Sequence, residues 1–197
     1  MKQRIADIIN KEADSIRNIP VTEAFSRAIE IIHNRVHIGG GKVVTSGMGK
    51  AGQIALNIAT TFSSTGTPAV FLHASEAQHG DLGVVQKNDI LLLISNSGKT
   101  REVVELIRLV KQLYENIPAI LITGNPETEL AQSCDVAIST GNPPEVCPLG
   151  LTPTASTTTM NVIGDILIVC MMDKIGFTSE DYARRHHGGY LGEKLKK

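Results

Sequence analysis

The sequence contains no tryptophan, and aromatic residues make up only 4% of its 197 residues. That scarcity argues against the aromatic platforms on which nucleic-acid bases or sugar rings stack. Lysine and arginine (19) are balanced by aspartate and glutamate (20), so the composition offers no basic face for a nucleic acid. A nucleic-acid partner is therefore not expected.

Cysteine is also scarce: Cys134, Cys147 and Cys170 are scattered, odd in number and form no CxxC pair. This usage is typical of a reducing compartment without structural zinc, and Cys147, which has no evident activating partner, is interpreted as structural. The N-terminus is charged and amphipathic rather than a signal peptide. The most apolar late segment, residues 162–172, is too short to span a bilayer and contains Asp165. These features predict a soluble, cytoplasmic protein with no membrane segment.

Short apolar runs alternate with helical patterns along most of the chain, whose length fits one domain. The apolar runs predict five strands, at 42–46, 69–72, 90–94, 119–122 and 135–138. Amphipathic patterns predict helices at 3–17, 22–37, 49–62, 101–115, 127–132, 154–174 and 179–185. Continuous apolar strands separated by helices indicate an α/β fold with a parallel sheet covered on both faces, here preceded by two helices. The loops that follow the strands should gather at one edge of the sheet.

The stretch from Asp89 to Tyr114 predicts a buried strand, a hydroxyl-rich turn and the start of an amphipathic helix. Such a turn aims backbone N–H groups at one point, and the helix dipole adds positive partial charge there. Ser95, Ser97 and Thr100 add hydroxyl groups to the same turn. The ligand that this chemistry favours is a phosphate, although serine and threonine at a helix start also serve for capping alone.

The glycines within residues 47–52 satisfy the GxGxxG spacing of a dinucleotide-binding turn between a strand and a helix. That function expects an acid at the end of the next strand, where this chain has His73, so NAD binding is disfavoured. A P-loop is disfavoured because Ala51 follows Lys50 where serine or threonine is required. What remains is a glycine turn that presents Lys50 at a helix start, where it can face an anionic ligand.

The loop after the second predicted strand contains His73, Glu76, His79 and Asp81. Such side chains can bind a metal, but their spacing fits no tight ligand pair on a helix. We therefore expect no required metal, and interpret His79 as a polar contact to a substrate.

Three further polar residues have two interpretations each. Glu102, in the first turn of the helix after the phosphate turn, either complements the helix dipole or acts as a base. Glu145 lies in a proline-rich loop where no helix explains it, which favours a functional role. His186 lies in a tail that alone would be taken as solvated.

Taken in order, the segments VTSGMGKAG, HGDLG, ISNSGKTREV, EVCPLGLTPT and FTSEDYARRHHGGYLG resemble the sugar isomerase (SIS) domain of D-arabinose 5-phosphate isomerases. The resemblance implies a flavodoxin-like, three-layer αβα sandwich with a five-stranded parallel sheet. It also implies a homotetramer with active sites between subunits, and no cofactor. The implied reaction interconverts D-ribulose 5-phosphate and D-arabinose 5-phosphate, the first step toward the eight-carbon acid Kdo of bacterial surface polysaccharide.

The resemblance also assigns roles to individual residues. The family's catalytic residues match Lys50, Glu102, Glu145 and His186. The expected substrate-binding residues are Ser46, Gly47, Gly66, Thr67, His79, Ser95, Asn96, Ser97 and Thr100. The histidine that sometimes contacts inhibitory zinc in the family matches His73.

An aldose–ketose isomerase moves a proton between C1 and C2 through an enediolate, which requires a base and a group that manages protons on O1 and O2. We assign the base to Glu102 and the second function, with ring opening, to His186. Glu145 would orient the substrate or a partner side chain, and Lys50 would stabilise developing negative charge. The roles of Glu102 and His186 can be exchanged without conflict with the sequence.

The chain departs from the family pattern in two ways. Lys99 stands where members usually have glutamate after SNSG, which changes the charge of the phosphate turn. Longer members continue into paired CBS domains, so we expect a single SIS domain over 1–197, with N-terminal helices at 1–38 and no CBS regulation. A nucleotide-activated Kdo that binds at the site as end product is a hypothesis motivated by that difference.

Two other functions stay open at this stage. One is a SIS isomerase for a heptose or hexulose phosphate, and the other is a non-catalytic sensor of a sugar phosphate or nucleotide sugar. The glycan pathway that the product would feed, whether lipopolysaccharide, capsule or another polymer, does not follow from the sequence.

Overall fold

The structure is a computed structural model that describes residues 1–187. Its centre is a five-stranded sheet in which every neighbouring pair of strands is parallel. The strands are β1 (Val43–Gly47), β2 (Ala69–Phe71), β3 (Ile90–Ile94), β4 (Ala119–Thr123) and β5 (Val136–Ser139). Their order across the sheet is β2-β1-β3-β4-β5, the flavodoxin-like arrangement. The predicted sheet is confirmed, with each strand within two residues of its predicted bounds.

Seven α-helices surround or precede the described sheet. They are α1 (Lys2–Arg17), α2 (Glu23–Ile32), α3 (Gly49–Ser64), α4 (Arg101–Leu113), α5 (Glu129–Gln132), α6 (Ala155–Ile175) and α7 (Ser179–Ala183). The helix predicted at 22–37 is α-helical only to Ile32 and continues as a π-helix over His33–Ile38. The loop after β2 contains two short 3₁₀ turns, Glu76–His79 and Asp81–Val84, where no periodicity is visible in the sequence.

Two apolar clusters make the three layers. Ile90, Leu92 and Ile94 of β3 point to one face of the sheet, which is covered mainly by α2, α3 and α6. Leu91 and Leu93 point to the other face, where they pack with α4. Every residue of β3 is therefore fully buried, as expected for a central parallel strand, and the predicted αβα sandwich is confirmed.

The long helix α6 organises the first of these faces. Its 21 residues are long and apolar enough to cross a membrane, but half of its most apolar part is buried inside the domain. Ile163 and Leu167 are fully buried in the cluster that covers the sheet. The apolar stretch 162–172 is the central part of this helix, which begins at Ala155. Its apolar character is explained by packing.

Candidate active site

A cleft opens at the carboxyl edge of the sheet, between the loops that follow β1 and β3. β1 and β3 are neighbours in the sheet. After β1 the chain crosses to β2 on one side, and after β3 it crosses to β4 on the other side, so the two loops diverge. The cleft has a volume of about 1000 Å³ and is also lined by the loops after β4 and β5 and by the first turns of α6. Open α/β sheets bind their ligands at such switch points.

The turn predicted to bind phosphate forms one wall of this cleft. Ser95 is buried, and its hydroxyl lies 2.8 Å from the Thr100 hydroxyl, which ties the start of the turn to its end. The side chains of Asn96 and Ser97 are exposed to the cleft. Among the hydrogen bonds of residues 1–187, the N–H groups of Ser97, Thr100 and Arg101 have no protein acceptor. These N–H groups, at the N-terminus of α4, suit an anion.

Gly98 holds the turn in this shape. Its φ of +63° is left-handed, and a Cβ there would overlap Oγ1 of Thr128. Glycine therefore lets the backbone turn sharply and rest on Thr128 at the start of α5. The Ser97 hydroxyl accepts a hydrogen bond from the Lys99 N–H at 3.1 Å, which closes the turn.

Lys50 lies across the cleft from this turn, in the first turn of α3. Its side chain is exposed, and Nζ is 3.4 Å from Oε1 of Gln53. The GxGxxG spacing has a packing explanation here, because a Cβ on Gly52 would lie 2.7 Å from the carbonyl oxygen of Gly47. The glycines let β1 and α3 approach closely, and the lysine is presented to the cleft as expected.

Ser46 and Gly47, which are both expected to bind substrate, are buried within the single chain. Ser46 is fully buried, does not line the cleft, and donates its hydroxyl to the carbonyl oxygen of Leu72 at 2.6 Å. Gly47 is buried at the end of β1, where a Cβ would lie 3.0 Å from the carbonyl oxygen of Ile94. Within one chain, neither side-chain position is open to a ligand.

Glu145 is explained by a helix after all, because its carboxylate caps the N-terminus of α6. Oε2 accepts hydrogen bonds from the Thr154 N–H and hydroxyl, both at 2.7 Å, and from the Ser156 N–H at 3.3 Å. Oε1 accepts a short hydrogen bond from the Ser156 hydroxyl. Partial burial acts to raise the pKa of Glu145, but the bonds from Ser156 and Thr154 outweigh it and leave the pKa below its usual value. The carboxylate stays charged and held at the cleft wall.

Glu102 and His79 lie together, in a second depression of about 440 Å³. Arg101, Ser75 and Gln78 line the same depression. Thr100, directly before Arg101, lines the main cleft, so the two cavities adjoin at the start of α4. The structure thus brings Glu102 and His79 together beside the phosphate turn, but outside the cleft that contains Lys50.

His186 is placed at the other end of the molecule. Its ring stacks on Tyr182 at 3.7 Å between centroids, and Nδ1 is 2.9 Å from the Tyr182 carbonyl oxygen. Tyr182 packs edge-on against Phe177, and a Cβ on Gly66 would lie 2.8 Å from the Phe177 ring. Thr67, next to Gly66, is buried, and its hydroxyl is 3.1 Å from Nε2 of His37. His186, Gly66 and Thr67 therefore share one end of the domain.

That end is far from the cleft. Thr157 lines the cleft, and Ile175, near the end of the same helix, is next to Gly66. Between these two positions α6 rises about 27 Å, at roughly 1.5 Å per residue. One chain does not bring His186, Gly66 and Thr67 to Lys50, so their roles in substrate binding and catalysis stay predictions that require a second subunit.

His73, the position matched to inhibitory zinc, is exposed after β2 and packs edge-on against Phe71 with 6.3 Å between ring centroids. Across residues 1–187, no three histidine, cysteine, aspartate or glutamate side chains are grouped as a metal would need. The zinc contact stays a prediction.

Asn142 is a cleft residue that the sequence analysis missed. In the part of the chain that the structure describes, it is the one non-glycine residue with positive φ, at +48°. A Cβ on Gly124 would lie 2.6 Å from Oδ1 of Asn96 and 3.0 Å from Oδ1 of Asn142, so both amides lie over Gly124 in the cleft. Asparagine tolerates this backbone conformation better than most residues. The Gly-Asn-Pro-Pro turn is the signal that could have indicated it.

Cys147 also differs from expectation. Its Sγ accepts hydrogen bonds from the N–H groups of Leu151 at 3.3 Å and Thr152 at 3.2 Å. Hydrogen bonds from the Thr152 side chain and from these backbone groups lower the pKa of the Cys147 thiol to about 7. These hydrogen bonds favour the thiolate form of Cys147, while its expected structural role stays a prediction.

The SIS domain family model matches residues 39–170, which include the whole sheet, the phosphate turn and most of α6. The chain belongs to the SIS domain family. The helices α1 and α2 precede the matched region.

Individual relatives of this SIS domain agree with the assignment. The arabinose 5-phosphate isomerase KdsD of Yersinia pestis is 49% identical over 175 residues, which are 89% of this chain and 52% of that protein. The chain thus spans about half the length of the curated relatives it matches. A solved structure from Bacteroides fragilis, of a protein provisionally named a phosphosugar isomerase involved in capsule formation, is 61% identical with a TM-score of 0.95, and covers 96% of this chain and 99% of that one.

A second solved structure was determined with a ligand. It is a protein of Escherichia coli CFT073 in complex with arabinose 5-phosphate, 36% identical with a TM-score of 0.85, and it covers 92% of this chain and 95% of that one. Its fold therefore matches that of the SIS domain described here over nearly the full length of both chains.

Proposed function

We propose that this SIS protein is an aldose–ketose isomerase that interconverts D-ribulose 5-phosphate and D-arabinose 5-phosphate. The observation that carries the proposal is the cleft at the switch point, where the phosphate turn faces Lys50. The resemblance in sequence to arabinose 5-phosphate isomerases, and in structure to a protein that binds arabinose 5-phosphate, supports the choice of substrate.

In this proposal the substrate phosphate binds at the Ser95–Thr100 turn. The free N–H groups of the turn and the Ser97 hydroxyl donate hydrogen bonds to its oxygens. The sugar then lies between the start of α4 and Lys50, both of which border the turn, so that Glu102 and Lys50 act on the same intermediate. The cleft is larger than a pentose phosphate needs, which leaves space for residues of a second subunit.

The chemistry requires a proton to move between C1 and C2. In the ketose-to-aldose direction Glu102 takes the proton from C1, an enediolate forms, and the proton is returned to C2. The Lys50 ammonium stabilises the negative charge of the enediolate oxygen. His186 transfers the protons of O1 and O2 and assists ring opening. Glu145, already held by Thr154 and Ser156, keeps the cleft wall in place rather than moving a proton.

A homo-oligomer with sites between subunits supplies the missing half of this machinery. The end of one chain that carries His186, Gly66 and Thr67 would meet the cleft of another, in the homotetramer that the family resemblance implies. Mixing two inactive variants, Lys50→Ala and His186→Ala, tests this arrangement. Random mixing of subunits should make about a quarter of the sites complete and restore activity accordingly. Activity that stays absent in verified mixed oligomers would place both residues in one chain's site.

The biological setting is part of the same proposal. The product would enter synthesis of Kdo and of a surface polysaccharide in the cytoplasm, and a nucleotide-activated Kdo would bind the same cleft as end product. The motivation for that ligand is the spare volume of the cleft. Competition between this nucleotide sugar and D-arabinose 5-phosphate in a binding titration tests it, and no measurable affinity would remove it.

The activity is tested on purified protein with chelator added. D-ribulose 5-phosphate, a hexulose 6-phosphate and a heptulose 7-phosphate are incubated separately, and products are followed by ¹³C NMR. We expect conversion of the ribulose ester alone. If the protein converts one of the other esters but does not convert D-ribulose 5-phosphate, the proposed substrate is wrong and that other sugar phosphate takes its place.

A further inference from the structure

The charge of the main cleft comes from a small set of side chains. Among the described residues that line it, Lys50, Lys99 and Glu145 are the titratable ones. The Glu145 carboxylate accepts hydrogen bonds from two residues at the N-terminus of α6, so its charge is offset locally. Within residues 1–187 neither lysine forms an ion pair. Two ammonium groups are therefore available to an anion in the cleft.

The backbone of Lys99 lies in the turn before α4, whereas the backbone of Lys50 lies in the first turn of α3. It belongs to the phosphate turn itself, and its N–H donates to the Ser97 hydroxyl at 3.1 Å. The preceding Gly98 lies against Thr128 at the start of α5, where a larger side chain would not fit. The turn thus fixes the Cα of Lys99 at the cleft rim, while its exposed side chain lines the cleft and can reach an anion bound at the turn.

We propose that Lys99 is a substrate-binding residue that attracts the phosphate group and sets the KM for the sugar phosphate, without a part in proton transfer. The inference rests on the proposed function for its substrate. A phosphate ester carries nearly two negative charges at pH 7, and one nearby exposed ammonium favours its binding. The residue acts on the phosphate end of the ligand, so it affects ground state and transition state equally.

The test compares variants of matched charge at the two ends of β3. Lys99→Gln and Lys99→Glu change the cleft end, whereas Lys87→Gln and Lys87→Glu make the same changes before β3, at the opposite edge of the sheet. We expect Lys99→Gln to raise KM about 5-fold and Lys99→Glu about 20-fold, with kcat within about twofold, because a rim charge changes binding. Both Lys87 variants should match the wild type.

A second readout does not depend on turnover. Titration calorimetry with inorganic phosphate should show the same ranking of dissociation constants, and the effect of Lys99→Gln should shrink at high salt because exposed charges are screened. Melting temperatures check that each variant is folded.

Three results would overturn the inference. The first is Lys99 variants whose KM and phosphate affinity equal those of the Lys87 variants. The second is a loss of kcat at unchanged KM, which would make Lys99 part of the chemistry. The third is an affinity for phosphate that Lys99→Glu does not weaken. If the wild type fails to isomerise pentulose phosphate, the proposed function fails, and the phosphate titration still decides the role of Lys99.

Discussion

Replacing Glu145 with alanine should destabilise the protein by removing the cap of α6. The carboxylate accepts hydrogen bonds from the N–H and hydroxyl groups of Thr154 and Ser156. In Glu145→Ala these donors, on the 21-residue helix that covers the sheet, must find water in place of the carboxylate. Glu145→Gln retains one acceptor oxygen but removes the charge.

Two contributions set the expected magnitude. Loss of a helix N-cap costs about 0.5–2 kcal/mol, and loss of a negative charge at a helix N-terminus costs about 0.3–1 kcal/mol. We therefore expect the free energy of unfolding to fall by about 2 kcal/mol in Glu145→Ala and about 1 kcal/mol in Glu145→Gln. For a protein of this size each kcal/mol lowers the melting temperature by about 2–4 °C.

Urea denaturation followed by circular dichroism measures the change. Thr22→Ala is the control, because the Thr22 hydroxyl caps α2 through a single hydrogen bond of 3.4 Å to the Ala24 N–H. It should cost no more than about 1 kcal/mol and leave activity unchanged. If Glu145→Ala is as stable as the wild type, the cap contributes nothing and the reasoning about α6 is refuted.

The pH dependence of stability tests whether the charged form of Glu145 caps α6. Burial acts to raise the pKa of Glu145, but the hydrogen bonds of Ser156 and Thr154 prevail, so the folded pKa lies below the ordinary 4.5. A lowered pKa means that the stabilisation is present above pH 4.5 and is lost as the pH falls through the folded value. The difference in stability between wild type and Glu145→Gln should therefore narrow on acidification. A difference that stays constant with pH would contradict the capping by a charged carboxylate.

Three further variants or probes test the site. Glu102→Gln should lower kcat about 10²–10⁴-fold while phosphate binding persists, and near-normal turnover would remove Glu102 as the base. Asn142→Gly and Asn142→Ala should both raise KM, but only the alanine variant, strained at positive φ, should lose about 1 kcal/mol of stability; equal KM to wild type in both would exclude an amide contact. Iodoacetamide at pH 7 should label Cys147 about 100-fold or more faster than Cys134, whose pKa burial raises to about 11, as measured by mass spectrometry. Equal rates would contradict the hydrogen-bonded thiolate.

The sheet could be predicted from the sequence because each strand is a continuous apolar run that is buried on both faces. Ile90–Ile94 shows this most clearly, because its five residues are all fully buried and polar turns precede and follow them. The phosphate turn could be predicted for the same local reason, since its strand, turn and helix are contiguous in the sequence. The π-helix after α2 could not, because His33–Ile38 continues the pattern of the preceding helix.

The roles of Glu145 and His186 depend on contacts that no local pattern reveals. Glu145 caps a helix whose first residue, Ala155, lies ten positions later, after the loop folds back. His186 is adjacent to Gly66 through Phe177 and Tyr182, and α6 separates that end of the domain from the cleft. The family resemblance predicted roles for both residues, but only the packed structure indicates what each side chain can reach within one chain.

The central claim, isomerisation through an enediolate, is tested most directly by NMR in D₂O. The purified protein is incubated with D-ribulose 5-phosphate and chelator, and the C2 proton of the product is observed. The account predicts D-arabinose 5-phosphate with deuterium at C2, because a carboxylate base exchanges its proton with solvent. Folded protein that binds inorganic phosphate but forms no D-arabinose 5-phosphate would contradict it.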